Sequence, residues 1–124
     1  MSKQDDLRNV LEKLNSVGGV KASAILYANG IPIMPLMPPN VDANTFCAMV
    51  GSMVGAAEEA LKALGSNEGD LQVVITEAAT QMIMAVKVSK EVILASLLER
   101  EAQTGLILLE LNKASKQIQT ILAA

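Results

Sequence analysis

The sequence predicts an α+β fold: three helices and five mainly antiparallel strands in the order α-β-β-α-β-β-β-α, packed as a two- or three-layer sandwich. Three observations predict it. Apolar residues switch between helical spacing and short runs of strand composition. An Asn29-Gly30 pair separates two such runs. The strand-to-strand linkers are too short for a parallel crossover except where the middle helix intervenes.

Leu7, Val10, Leu11, Leu14 and Val17 draw one apolar stripe on a first helix, and Gly18-Gly19 ends it with the left-handed geometry common after a helix C-terminus. Val20 to Ala28 and Ile31 to Met37 flank Asn29-Gly30, which suits the tight turn of an antiparallel hairpin. Pro32 and Pro35 lack the backbone donor of a central strand, so the second strand belongs at a sheet edge, and Pro38-Pro39-Asn40 ends it. Asp42 is placed to cap a helix from Ala43 to Leu64, closed by Gly65 and a polar loop, Ser66 to Gly69. Leu71 to Thr76, Gln81 to Val88 and Val92 to Leu97 form an antiparallel meander. Thr104 is placed to cap a last helix in which Ile107, Leu108, Leu111, Ala114, Ile118, Ile121 and Leu122 repeat at helical spacing. Leu106 and Leu109 widen its apolar face, which predicts cover on more than one side.

The middle helix is the most informative segment. None of residues 43–57 is charged, whereas a helix lying on a sheet normally shows solvent a charged face. Phe46, Met49, Val50, Met53, Val54, Ala57 and Leu61 supply the expected core stripe. Ala48, Gly51, Ser52, Gly55 and Ala56 form a strip of small residues that lets another backbone approach. The Gly51-x-x-x-Gly55 spacing fits a second helix or the chain's own sheet, and the missing charge favours a partner.

Composition excludes several classes. With 124 residues the chain is one domain, 1–124. Thirteen acidic residues against ten basic ones, a net charge of −3, argue against a phosphate-neutralising surface, and Tyr27 and Phe46 as the only aromatics give no stacking platform, so nucleic acid is not expected as a partner. Without histidine there is no Ser-His-Asp triad, Cys-His pair or histidine-ligated metal. The longest uncharged stretch, Ala22 to Val41, holds all four prolines and is no transmembrane helix. The polar start, Met1 to Asp6, does not resemble a secretory leader, and a lone Cys47 fits a reducing cytoplasm, where it is expected to be a small buried filler. Glu58 and Glu59 point about 100° apart on a helix and cannot converge as a metal or acid-base pair. Met82 and Met84 share a strand face, and Met49 and Met53 a helix face, which assigns them to core rather than to an adaptable recognition surface. Neither enzymatic activity, nor a metal, nor a cofactor is expected.

The element order, with Val17-Gly18-Gly19-Val20 before the first strand, Leu26-Tyr27-Ala28-Asn29-Gly30 at the first turn and Gly105 opening the last helix, resembles the roadblock family across essentially the whole chain. The chain departs from the family pattern in the prolines of its second strand. The resemblance implies a single roadblock-type domain with a profilin-like fold, the first and third helices on one sheet face and the second on the other. It also implies a dimer, with itself or another roadblock chain, in which third strands pair edge to edge and second helices lie side by side. Leu71, Val73 and Ile75 would then lie at the dimer centre with Ala48, Gly51, Ser52, Gly55 and Ala56. The family includes dynein light chains, subunits of scaffolds that hold Ras-like GTPases, and bacterial regulators of a motility GTPase. A non-enzymatic cytoplasmic platform for a small Ras-like GTPase is therefore expected, the alternatives being a structural adaptor or a small-ligand sensor.

Overall fold

A computed structural model describes residues 2–124. Helix α1 (Lys3–Asn15) starts at Ser2, whose hydroxyl oxygen accepts the Asp5 N–H, and its acidic first turn, Asp5 and Asp6, complements the helix dipole. Gly19 takes a φ of +94° and leads into β1 (Val20–Tyr27). At the Asn29-Gly30 turn Gly30 has a φ of +91° and donates its N–H to the Tyr27 carbonyl, while Asn29 Oδ1 accepts the Ile31 N–H. β2 (Pro32–Leu36) follows, then α2 (Ala43–Ala63), β3 (Val73–Glu77), β4 (Gln81–Lys87), β5 (Val92–Glu99) and α3 (Thr104–Ala123).

The sheet order is β2-β1-β5-β4-β3 with every neighbouring pair antiparallel, so the predicted element order and fold class are observed. β2 is an edge strand, as its prolines require; β3 is the other edge. Two local expectations are corrected. Thr104 is the first residue of α3 rather than its cap: Gln103 holds the cap position and makes no side-chain bond there. Leu71 precedes β3, which begins at Val73.

The pleat gives the two faces of the sheet separate cores, and on one of them the central row is made of small side chains. One face carries Ile25, Met82, Met84, Val86, Leu94 and Leu98, on which α1 packs Leu7, Leu11 and Leu14, and α3 packs Ile107, Leu111 and Ile118. The other carries a cross-strand row of Ala24, Ala95, Ala85 and Val74, directly opposite one another in register. With alanines beneath it, α2 settles close to the sheet and turns Cys47, Val50, Gly51 and Val54 inward. Cys47 is the buried filler expected, and burial pushes its thiol pKa up.

Ser23 and Ser96 oppose each other on the face that α1 and α3 cover. Ser23 donates to Asn15 Oδ1 (2.6 Å), whose amide donates to the Leu36 carbonyl (3.2 Å), tying the end of α1 to β1 and β2. Ser96 Oγ is buried with no partner. Leu106 and Leu109 are half exposed, so the expected cover at the start of α3 is not supplied by the chain itself.

Candidate interaction surface

The rotation of α2 about its axis decides which side chains face outward. At about 100° per residue, the buried set Cys47, Val50, Gly51 and Val54 is centred roughly 70° away from the stripe that the larger apolar residues define. Met49 is thereby displaced from the core and is 61% exposed, which corrects its assignment as a core residue. Met53 is partly buried on the same flank, where it accepts a hydrogen bond from the Thr76 hydroxyl of β3. Met49 and Met53 thus mark the flank of α2 that faces the β3 edge.

The strip of small residues divides accordingly. Gly51 is buried against the chain's own β1–β2 turn: a Cβ there would stand 2.9 Å from Gly30 Cα and N and 3.2 Å from the Ala28 carbonyl. The small size of Gly51 is thus used within the chain, where it seats α2 on the hairpin turn. Gly55 is partly exposed and turned toward the end of the sheet, with nothing within 4 Å of its missing Cβ. Ala48, Ser52 and Ala56 are exposed. The Ser52 hydroxyl donates to the Ala48 carbonyl, so this face carries no unpaired hydroxyl proton.

The β3 edge is open. The Lys87 N–H donates to the Gln72 carbonyl and the Ala78 N–H to the Gln81 carbonyl, so the even-numbered residues of this strand face β4. By alternation, Val73, Ile75 and Glu77 direct their N–H and C=O groups outward. Val73 is partly buried against the α1/α3 core and Ile75 is 45% exposed. Glu77 is ion-paired with Arg100 at 3.2 Å. Leu71 packs against the cluster under α2 instead of pairing along the strand. Glu77 was missed from sequence, where side-chain alternation gives the faces of a strand but not the direction of its amides.

A groove of about 1070 Å3 runs along the end of the sheet between α2, the loop before β3 and the β4–β5 turn. Its lysines are each matched by a carboxylate: Lys87 with Glu58 (3.6 Å), Lys62 with Glu59 (3.4 Å) and Lys90 with Glu68 (3.6 Å). The Lys87–Glu58 pair is the least exposed, at 12% and 23%, and pins α2 to β4. Among the described residues, no group of three or more histidine, cysteine or acidic side chains is placed to hold a metal ion, and no helix is long and apolar enough to cross a membrane.

Two helices on one face of a five-stranded antiparallel sheet and a third alone on the other define a profilin-like α+β sandwich with two free strand edges. Residues 7–97 match the Roadblock/LC7 domain, and the chain belongs to that family. It is 30% identical over 112 residues to the uncharacterized protein MJ1340 of Methanocaldococcus jannaschii, covering 90% of this chain and 96% of that protein. Its fold is similar to that of Myxococcus xanthus MglB (TM-score 0.86, 21% identity, 94% of each chain) and of a Roadblock/LC7 domain from Streptomyces avermitilis (TM-score 0.84, 16% identity, 100% of each chain).

Proposed function

We propose that residues 1–124 act as a single roadblock-type domain that pairs with a second roadblock chain, and that the pair is a non-enzymatic cytoplasmic platform for a small Ras-like GTPase. The observation that carries the pairing is the juxtaposition of an unpaired strand edge, Val73 to Glu77, with an uncharged helix flank, Met49, Ser52 and Ala56, on one side of the molecule. A twofold axis at Ile75 sets Ile75 opposite its own copy and Val73 opposite Glu77 of the other copy. Every outward N–H of β3 then meets a carbonyl, and the two α2 flanks come together. The Glu77 carboxylate brings its own counter-ion, Arg100, to the seam.

The GTPase assignment rests on family membership. Such a platform acts by position: binding one nucleotide state tenfold more tightly shifts the balance between states by about 1.4 kcal/mol, and a partner without that preference shifts nothing. Analytical ultracentrifugation across concentration tests the pairing. The wild type is expected at twice the chain mass of 13.1 kDa. Ala56→Glu, which places a charge in the apolar contact, and Ile75→Pro, which removes an outward donor and spares the β4 ladder, are expected at the mass of one chain with unchanged circular dichroism. A wild type that stays monomeric overturns the pairing. Titration calorimetry with Ras-like GTPases of the same genome, loaded with GDP or a non-hydrolysable GTP analogue, tests the rest. State-dependent affinity supports regulation, equal affinity makes the chain a structural adaptor, and no binding overturns the GTPase assignment.

A further inference from the structure

Two of the chain's four prolines, Pro32 and Pro35, lie in β2, the strand at the far edge from β3. Tyr27 donates its N–H to the Ile31 carbonyl, whereas Ala28 donates to Glu91 in the β4–β5 turn. Odd residues of β1 therefore bond to β2 and even residues to β5. Ser23 lies opposite Leu36 and Ile25 opposite Met34, so Leu36 and Met34 direct their amides inward. Pro35 lies opposite Ala24 and Pro32 opposite Leu26, and both of those β1 residues bond to β5. Both prolines thus occupy outward-facing positions of the free edge.

This placement does not follow from spacing alone. Prolines three residues apart in a regular strand face opposite ways, and one of them would break the ladder to β1. The register shifts between Ile25 and Leu26, which leaves Ile33 as an extra residue on β2 and brings Pro32 back to the outward side. The edge is left without an N–H at both positions where an added strand would take one, and it is bent by a bulge. The β3 edge has no proline and keeps the amides of Val73, Ile75 and Glu77.

We infer that Pro32 and Pro35 close the β2 edge to strand addition, so that the sheet can be extended by a second copy only at β3 and assembly by strand pairing stops at two chains. The limit of two rests on the pairing proposed above; the closure of the β2 edge does not. Sedimentation of Pro35→Val and Pro32→Val/Pro35→Val tests it, in the wild-type background and in Ile75→Pro, where the β3 edge is closed. In the wild-type background the variants are expected to form species larger than two chains that grow with concentration, and in Ile75→Pro a two-chain species joined through β2. Protection of the new amide at position 35 from hydrogen exchange on association locates the contact. Pro38→Val, an exposed proline beyond the strand, is expected to leave the mass unchanged; if it associates as strongly, added apolar surface is the cause and the inference fails. Variants that keep the mass of their parent in both backgrounds, two chains in the wild type and one in Ile75→Pro, also overturn it. Should Pro35→Val lose its native circular dichroism, Pro35→Thr supplies the same donor with a more polar side chain. The wild-type mass judges the pairing at β3, and the change on replacing the prolines judges the β2 edge, so either can fail alone.

Discussion

Gly51→Ala and Gly55→Ala are the same substitution one helical turn apart, and the surroundings of the two glycines give them opposite signs. In each, alanine replaces glycine in a helix interior, which by propensity alone adds about 1 kcal/mol. At Gly55 nothing lies within 4 Å of the new methyl group, and the gain stands. At Gly51 the methyl would meet Gly30 Cα and N at 2.9 Å and the Ala28 carbonyl at 3.2 Å. These are backbone atoms, so no side-chain rotation relieves the contact. Gly30 cannot yield easily, because its φ of +91° and its bond to the Tyr27 carbonyl hold the turn. The helix must lift from the alanine row and loosen Cys47 and Val50, an overpacking that costs about 1–3 kcal/mol. Set against the propensity gain, Gly51→Ala is neutral to about 2 kcal/mol destabilising, and the two variants differ by about 1–3 kcal/mol. Urea denaturation followed by circular dichroism measures this difference. All proteins are compared at one concentration, because the proposed pairing would add a concentration-dependent stability. Equal stabilisation by both substitutions would refute the seating of α2 on the hairpin turn.

Two further outcomes follow from side-chain hydrogen bonds, made or missing. The Thr45 hydroxyl and the Thr45 and Asn44 N–H groups donate to the Asp42 carboxylate and hold its pKa below the ordinary 3.8. Its contribution is therefore complete above the unfolded-state value and lost as pH falls through the lower folded-state value; the gap in melting temperature between wild type and Asp42→Ala is expected to narrow on acidification below about pH 4. Ser96→Ala removes a buried hydroxyl that has no partner and is expected to leave stability unchanged or raise it by about 1 kcal/mol, whereas Ser23→Ala strands Asn15 Oδ1 and is expected to lower it by about 1 kcal/mol. Calorimetric melting of the two variants side by side checks the contrast.

The element order was legible because its punctuation is local. Asp42, Asn29-Gly30 and the helical repeat of α1 act within a few residues, and the prolines assign β2 to an edge by chemistry that needs no neighbour. The rotation of α2 was not legible, because its cause is distant in sequence. A helix normally turns its largest apolar residues inward, which points Phe46, Met49 and Met53 at the sheet. Here the sheet offers Ala24, Ala85 and Ala95, and the hairpin offers Gly30, so closer approach with Cys47 and Gly51 inward fills the space better. Met49 is left outside beside the open edge of β3, where its exposed thioether has no core to fill. The residues that sequence placed at an interface for their smallness thus serve partly to seat the helix, and the residue assigned to the core for its bulk lies on the surface proposed above to meet a partner. Which residues of a charge-free helix remain available for a contact depends on how closely its opposite face can approach its own sheet.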